Sequence, residues 1–288
     1  MKDNRDEKTL VVRCDWWLWR IIAMAWPITA IAKKRPVKVI TSRPLVFWGN
    51  TAIKSVHGLD DRRLYEDVIK GNDYIELEPY TDPAFFNDAE NWLKVASKQL
   101  WLSNTYEPLL VLAEHEKLCN VLDWNPVLFQ PFWSTMQANG SDKSYRSIRV
   151  QDAQYIADRL IERWFTVYVV ERPDQPKLRW CVCLDTPDLR FVLSLCARYP
   201  VLWADSCLHH AAKAFGKTAV VVWAGTDAER FWYDSNINLR EHQLVAFTPM
   251  RLPMNDFNFD ISNQYTNQFS KEFLDKVVTT FLKANQVL

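Results

Sequence analysis

A turn between a buried strand and a helix carries the polar side chains with the clearest chemical potential in this sequence. In ADSCLHHAAKAFGKTAVVVWAGT, residues 204–226, Asp205 and Ser206 follow a strand pattern, and His209 and His210 lie one turn further on. Ser206 can cap the helix, whose free N–H groups and dipole favour a phosphate or diphosphate. His210 could add a charge-assisted donor. The same spacing is compatible with plain capping and with histidines that pack or face water.

Other catalytic motifs are missing from the sequence. It has six glycines and no G-x-S-x-G, Walker A or G-x-G-x-x-G pattern, which argues against hydrolase, P-loop and dinucleotide-binding functions. The EHE tripeptide at 114–116 has the residue types of metal ligands. Successive helical residues cannot converge on one ion, however, so the tripeptide predicts a solvated face and no metal site is expected.

Strand and helix patterns alternate through the first half of the chain. TLVVRCD and VKVIT are strand-like and flank a helical pattern that ends near Arg35, which predicts a parallel pair with a right-handed crossover. RRLYEDVIKGNDYIELEPY is less regular. Residues 82–102 predict a helix that begins at Asp82 and Pro83.

The alternation starts again after residue 125. Amphipathic helices such as VQDAQYIADRLIERW alternate with apolar strands such as FTVYVVE, PVLWAD and AVVVWAG. We therefore predict two doubly wound α/β domains, 1–124 and 125–288, joined near Leu122 to Asn125. The closing helix, SKEFLDKVVTTFLKA, could pack on either domain.

Composition describes an ordinary globular protein with no net charge. Lys plus Arg and Asp plus Glu both total 35, so net charge indicates no polyanionic partner. Residues 1–50 hold ten basic and four acidic side chains, with Lys33, Lys34, Arg35 and Lys38 close together. This basic group is either a solvated helix end or an anion-binding surface.

The N-terminal region lacks the marks of secretion or membrane insertion. MKDNRDEKTL has no apolar core, and WWLWRIIAMAWPITAIA is interrupted by Arg20 and Pro27 before reaching the ~20 residues of a membrane span. Six cysteines without C-x-x-C spacing predict reduced thiols. We expect a soluble, cytoplasmic protein with no transmembrane segment; its oligomeric state is not indicated.

The segment CARYPVLWADSCLHHAAKAFGKTAVVVWAGTDAERF, residues 196–231, resembles the signature of family 9 glycosyltransferases, the heptosyltransferase type. That signature has a strand, Asp-Ser/Thr-Gly-x-x-His-x-Ala-Ala, a Gly-Lys turn, a strand and Gly-x-Thr. Cys207 replaces the usual glycine. The matching positions are Asp205, Ser206, His210, Ala212, Gly216, Lys217, Gly225 and Thr226.

This resemblance implies a GT-B fold, with two Rossmann-like domains facing a cleft. The C-terminal domain would bind a nucleotide-diphosphate sugar as donor substrate, and the N-terminal domain would bind the acceptor. LFQPFWSTMQANGSDKSYRSI resembles the loop that opens the C-terminal domain. The implied donor-binding residues are Ser134, Arg146, Asp205, Ser206, His210 and Thr226.

The family's first strand and helix usually carry Arg-x-x-x-Leu-Gly-Asp, and here the chain departs from the pattern. Trp19 and Arg20 stand where Gly-Asp is expected, so the family's general base is lost or its role has moved to Asp15. The resemblance implies single-displacement inversion with no obligatory metal or other cofactor. Asp15 is our candidate base, followed by Asp60 and Asp61; Asp15 could equally be a helix cap.

Two acceptors fit this class. One is a lipopolysaccharide or other saccharide hydroxyl, as the resemblance implies. The other is a hydroxymethylated base in DNA, which would need phosphate-binding cations and an aromatic pocket. Candidate acceptor-binding residues are Trp17, Trp48, Lys34 and Arg35, with Trp16 and Trp19 beside them; the tryptophans could also fill the core. A third hypothesis, prompted by the missing Gly-Asp, is a non-catalytic sugar-nucleotide-binding protein.

Overall fold

A computed structural model of the 288-residue chain provides the structure. The residues that it describes are 8–15, 18–86, 90–103, 110–118, 122, 124–132, 147–170, 175–184, 188–204, 207–224, 228–241, 249–251, 257–259 and 268–285. The chain forms two compact units, one of residues 1–117 with 214–216 and the other of 118–213 with 217–288. The join predicted near Leu122 to Asn125 lies a few residues beyond this division.

A four-stranded parallel sheet organises the first unit. Its strands are Leu10–Arg13 (β1), Val37–Ile40 (β2), Ser55–His57 (β3) and Asp73–Glu76 (β4), in the order β3-β2-β1-β4. Helix α1, Leu18–Ala32, connects β1 to β2. Both β1 and α1 are almost wholly buried, which explains their continuous apolar sequences. The predicted parallel pair and helical crossover are present.

Short helices complete the first unit. The described part of the predicted 82–102 helix contains two helices. The backbone of Asn91 is extended (φ −59°, ψ 127°), which interrupts the helix there. The Asn91 side chain then caps a new helix by accepting a hydrogen bond from the Leu93 N–H. The segments are a 3₁₀ helix Pro44–Phe47, a π-helix Leu64–Ile69, a 3₁₀ helix Pro79–Thr81, and the α-helices Pro83–Phe86 (α2), Trp92–Gln99 (α3) and Glu114–Leu118 (α4).

A six-stranded parallel sheet organises the second unit. Its strands are Pro126–Gln130 (β5), Thr166–Val170 (β6), Val182–Leu184 (β7), Val201–Ala204 (β8), Val220–Trp223 (β9) and Ile237–Arg240 (β10). The order β10-β9-β8-β5-β6-β7 is that of the Rossmann fold. The connecting helices are Val150–Ile161 (α5), Leu189–Arg198 (α6), Cys207–Ala214 (α7) and Ala228–Phe231 (α8).

Both sheets reverse their winding direction beside their first strand. In the first unit β2 and β3 extend to one side of β1 and β4 lies on the other. In the second unit β6 and β7 extend to one side of β5 and β8 lies on the other. Crevices at the carboxyl ends of strands flanking such a reversal are the usual ligand sites of this architecture. The fold therefore defines two candidate positions, beside β1 and β4 and beside β5 and β8.

The closing helix, Lys271–Ala284 (α9), packs in the second unit. Its buried residues Phe273, Val277 and Phe281 belong to the same apolar core as Val127, Val169 and the other residues of the second sheet. The alternative placement on the first domain is not what the structure shows. A two-stranded antiparallel sheet joins Pro249–Arg251 (β11) to Phe257–Phe259 (β12). None of the helices in the described part of the chain is long and apolar enough to span a bilayer.

A buried carboxylate fastens α9 to α5. Asp152 is 4% exposed, accepts a hydrogen bond from the Phe269 N–H at 3.1 Å, and pairs with Arg149 at 3.0 Å. We expect Asp152→Ala to lower the free energy of unfolding by about 2 kcal/mol, because the buried Phe269 N–H loses its acceptor. Urea unfolding of the full chain measures the change.

The matched control for this prediction is Asp158→Ala on the same helix. Asp158 is partly exposed and accepts a hydrogen bond from the Gln154 side chain at 2.7 Å. Its replacement should cost about 0.5 kcal/mol or less. Equal losses in the two variants would contradict the proposed role of Asp152.

Candidate functional site

The carboxyl edge of the first sheet carries a row of polar side chains. Parallel register aligns Arg13 with Ile40 and Glu76, and aligns Ile40 with His57. Cys14 and Asp15 follow β1 directly, and Asp15 is half-buried. Asp15 therefore lies beside the β1–β4 crevice, as a candidate base should.

A buried ion pair lies beside the same crevice. The Arg20 guanidinium, on the first turn of α1, contacts the Glu78 carboxylate just after β4, and both residues are buried. Arg20 Cζ lies 4.5 Å from the centroid of the Tyr80 ring, and the Tyr80 N–H donates to Glu78 Oε1 at 3.2 Å. Arg20 is thus held as a structural cation between α1 and the segment that follows β4.

The thiol beside Asp15 is chemically quiet. Cys14 is 1% exposed, and burial raises its pKa to about 12, an effect that the Arg20 charge partly offsets. A thiol with that pKa holds its proton at neutral pH and is a poor nucleophile. Chemistry at this edge of the sheet therefore depends on the carboxylates and on His57.

His57 on β3 forms a hydrogen-bonded chain that the sequence did not predict. Ser55 Oγ lies 2.8 Å from His57 Nε2, and His57 Nδ1 lies 3.2 Å from Asp61 Oδ2. The pKa of Asp61 is lowered, first by the Arg63 N–H and then by His57. Asp61 therefore stays ionised at neutral pH, and its contacts weaken only as the pH falls through its lowered pKa. β3 lies two strands from β1, roughly 10 Å away.

The basic residues that we assigned to acceptor binding lie at the opposite edge of the sheet. Arg35 donates to the backbone carbonyl of Lys8, before β1, and pairs with Asp73, the first residue of β4, at 2.6 Å. Lys34 is exposed in the turn that ends α1. A four-residue strand separates this edge from Asp15 by roughly 13 Å. A small saccharide held at Asp15 would be out of reach of both cations.

The tryptophans assigned to the acceptor are only partly described. Trp48 is exposed and follows the 3₁₀ helix in the connection from β2 to β3, so its indole is open to a ligand. Trp16 and Trp17 lie outside the described residues.

The donor signature lies at the second reversal point. Gln130, the last residue of β5, pairs in register with Trp203 near the end of β8, and α7 begins at Cys207. The predicted strand and helix around the signature are therefore present. Several predicted donor-binding residues lie outside the described part of the chain: Ser134, Arg146, Asp205, Ser206 and Thr226.

His210 is buried in an aromatic cluster. It is 2% exposed, and its Nδ1 lies 2.8 Å from the hydroxyl of Tyr233. The ring of His209 packs against it, tilted by 40° with centroids 3.8 Å apart, and His209 also lies 5.6 Å from the Trp223 ring. Burial raises the pKa of Tyr233, so its hydroxyl keeps its proton. The imidazole thus has a defined orientation.

Three residues of these sites were missed by sequence reasoning: Glu78, His57 and Tyr233. Glu78 had an indirect signal, because an arginine inside the apolar sequence WWLWRIIAMAW requires a buried acidic partner. For His57 the signal was its short separation in the sequence from Asp61, which allows a contact between the two side chains. Tyr233 had no such signal, since its contact with His210 arises only from the packing of α7 against the segment after α8. Among the described residues, no cluster of three His, Cys, Asp or Glu side chains could hold a metal ion.

Comparison with solved structures identifies the fold. The family 9 glycosyl transferase of Veillonella parvula is 12% identical, with a TM-score of 0.69 over 96% of this chain and 97% of that one. The iron-containing dodecameric glycosyltransferase TibC of enterotoxigenic E. coli is 12% identical, with a TM-score of 0.71 over 97% and 77%. E. coli ADP-heptose lipopolysaccharide heptosyltransferase II is 13% identical, with a TM-score of 0.63 over 95% and 99%.

These comparisons confirm the structural resemblance to family 9 glycosyltransferases and the GT-B fold class. A structure of TibC in complex with ADP-D-beta-D-heptose has also been solved, and its alignment again covers 97% of this chain. By sequence, the chain matches no protein-family model and no curated protein. At these identities the likeness establishes the fold, and the chemistry rests on the residues themselves.

The Arg20–Glu78 pair gives a test of how the first site is supported. Arg20→Met leaves a buried carboxylate without its cation, and we expect the free energy of unfolding to fall by about 3–5 kcal/mol. Adding Glu78→Gln removes that charge and keeps an acceptor for the Tyr80 N–H, so the double variant should recover most of the loss. A double-mutant cycle in urea measures this coupling, and additive losses would contradict it.

Proposed function

We propose that this chain is a glycosyltransferase that moves a sugar from a nucleotide-diphosphate donor to an acceptor hydroxyl. The observation that carries the proposal is the β8–α7 signature at the reversal point of a Rossmann sheet, in a chain with the fold of family 9 glycosyltransferases. Helix N-termini at such positions bind phosphate groups. TibC, which shares the fold, has been solved with ADP-D-beta-D-heptose.

The second unit is the proposed donor-binding domain. Asp205 and Ser206 would line the turn that receives the diphosphate, with Ser134, Arg146 and Thr226 contributing from neighbouring loops. His210 would donate to the diphosphate from Nε2. In this proposal the Tyr233 hydroxyl, 2.8 Å from Nδ1, is the donor in that contact, which would leave the proton of the neutral imidazole on Nε2.

The proposed reaction is a single inverting displacement. As the acceptor oxygen attacks the anomeric carbon, the bond from that carbon to the diphosphate oxygen breaks and the diphosphate leaves with the electron pair. Asp15 takes the acceptor's proton, and N–H groups and basic side chains stabilise the charge that develops on the leaving group. This chemistry requires no metal or cofactor beyond the donor sugar.

His57 is the alternative base. Its pairing with Asp61 would stabilise the imidazolium that forms on proton uptake, as a carboxylate does for histidine bases in general. Ser55 Oγ lies against Nε2, the atom that would accept the proton. Asp15 is our first choice because it lies beside the β1–β4 crevice.

A saccharide hydroxyl is the proposed acceptor, with Trp48 as a stacking surface. Lys34 and Arg35 fit a small acceptor poorly, because Arg35 is engaged by Asp73 and both lie at the opposite sheet edge. Hydroxymethylated DNA is large enough to reach both edges and is therefore an outcome that the activity assay must include. The third outcome is sugar-nucleotide binding without catalysis.

Donor binding can be tested at His210. We expect His210→Ala to weaken ADP or UDP binding roughly tenfold to a hundredfold, because a hydrogen bond to a charged group is lost. Tyr233→Phe should weaken it by less, since the imidazole stays but its tautomer is no longer fixed. Titration calorimetry measures both affinities.

The matched control is Tyr155→Phe in the same unit. Its hydroxyl donates to Asp275 at 2.8 Å, on α9, so the variant also loses one tyrosine hydrogen bond. Its nucleotide affinity should stay at the wild-type value. Unchanged ADP and UDP affinity in His210→Ala would refute the assignment of His210.

Catalysis can be tested at Asp15. We expect Asp15→Asn to lower kcat by about 10²-fold or more with nucleotide affinity unchanged, because the amide cannot accept the proton. The assay offers several nucleotide sugars with truncated lipopolysaccharide and with hydroxymethylated duplex DNA. Undiminished turnover in Asp15→Asn, with a loss in His57→Gln, would transfer the role of base to His57.

The acceptor arms of the same assay separate the three functions. Transfer to the saccharide alone supports the proposal. Transfer to DNA would make DNA the acceptor in place of the saccharide. That transfer should fall steeply with added salt, because each phosphate that the protein neutralises releases counterions. Nucleotide binding with neither transfer nor donor hydrolysis would establish the non-catalytic function.

A further inference from the structure

Three almost fully exposed tryptophans lie at the amino edge of the second sheet, opposite its proposed donor site. Trp124, Trp164 and Trp180 are 83%, 84% and 83% exposed. Each precedes the first residue of its strand, β5, β6 or β7, by two positions. These strands are consecutive neighbours in the sheet, spaced about 4.8 Å apart. We call this set the tryptophan row.

Hydrogen bonds fix the backbone of the tryptophan row. The Thr166 hydroxyl donates to the Trp124 carbonyl at 2.8 Å, and the Asn125 side chain donates to the Trp164 carbonyl at 3.2 Å. The Gln154 side chain accepts from the Arg179 N–H at 2.8 Å, which holds the residue before Trp180 against α5. The three indoles are therefore presented from anchored turns.

Trp164 occupies a backbone position that ordinarily belongs to glycine. At the end of α5 the Phe165 N–H donates to the Leu160 carbonyl and the Trp164 N–H to the Ile161 carbonyl, with Trp164 at φ 65°. This left-handed helix ending favours glycine; Gly216, just after the end of α7, has φ 72°. A tryptophan here is conformationally unfavourable and gains no burial in the fold, which indicates a role for the indole outside it.

Positive charge surrounds the tryptophan row. In the sequence, the five residues before each of the six strands contain five cations and three carboxylates, Asp123, Glu162 and Asp234. The cations are Arg163, Lys177, Arg179, Arg198 and Lys217. Glu162 is further neutralised by Arg159, at 2.5 Å. The surface is therefore aromatic and basic.

We propose that the tryptophan row is a docking site for an anionic lipid surface. Indoles partition to the boundary between headgroups and acyl chains, and basic residues beside them are attracted to anionic headgroups. A second copy of this chain docked row to row would bring like charges together. Stacking on nucleic acid bases uses one ring face with protein behind the other, whereas these indoles expose both faces.

Vesicle flotation of the full chain tests the proposal. The wild type should float with vesicles that contain phosphatidylglycerol and should float less with pure phosphatidylcholine or at raised salt. Trp164→Gly should weaken the partition coefficient by about tenfold, because one buried indole is lost. The melting temperature of this variant should not fall, since glycine suits the backbone.

Trp101→Gly is a closely matched control. Trp101 follows α3 in the first unit and has φ 54° with 67% exposure. The same hydrogen-bond pattern occurs there, since the Leu102 N–H donates to the Ser97 carbonyl. This variant removes an exposed tryptophan from the same kind of turn and should keep wild-type flotation. Lys177→Glu with Arg179→Glu should weaken the partition coefficient by about thirtyfold or more on the anionic vesicles, because two cations are lost and two like charges are added.

Several outcomes would overturn the proposal. They are no flotation of the wild type, flotation that Trp164→Gly retains, or an equal loss in Trp101→Gly. Self-association that Trp164→Gly abolishes, without vesicle binding, would assign the row to a second copy. Binding of a single-stranded oligonucleotide that depends on Trp164, again without vesicle binding, would assign it to nucleic acid. Because the readout is flotation, the result is independent of whether the chain transfers a sugar.

Discussion

The parallel direction of every strand in the two main sheets is the constraint on which the rest of the structure depends. Parallel strands collect all carboxyl ends at one edge and all amino ends at the other. The donor signature follows β8 and Asp15 follows β1, both at carboxyl ends. Arg35 and the tryptophan row lie at amino ends. Strand direction therefore places the proposed donor and base residues at one edge of their sheets, and Arg35 and the tryptophan row at the opposite edge.

The same geometry explains how the first unit tolerates an arginine on the buried first turn of α1. α1 begins at the β1–β4 crevice, so a cation on its first turn is buried against the end of β4. Glu78 neutralises it there, and Tyr80 covers the guanidinium with its ring. An isolated buried charge would be very costly, and the paired one is stable only with this full set of contacts. The buried arginine on α1 therefore depends on an acidic partner that follows β4.

The sequence predicted the fold because its information about the fold is local. Apolar strands, amphipathic helices and the 196–231 signature each lie within a short segment, and they were sufficient to predict two doubly wound units. The break at Asn91 was missed because Asp82, Pro83 and the apolar residues beyond Asn91 are all compatible with one helix. Glu78, His57 and Tyr233 were missed for a different reason. Their roles depend on contacts between segments distant in the chain, or on which way a side chain turns once packed.

Different features of the structure determine the backbone position of His210 and the tautomer of its imidazole. The backbone of α7 follows from strand direction and helix propensity, but the imidazole has two tautomers that backbone geometry does not distinguish. A Tyr233 hydroxyl that donates to Nδ1, as proposed, would select the tautomer with its proton on Nε2. A phenylalanine would fill the same volume and leave the choice open. Under this proposal Tyr233 would set the direction of the hydrogen bond that the ligand receives from His210.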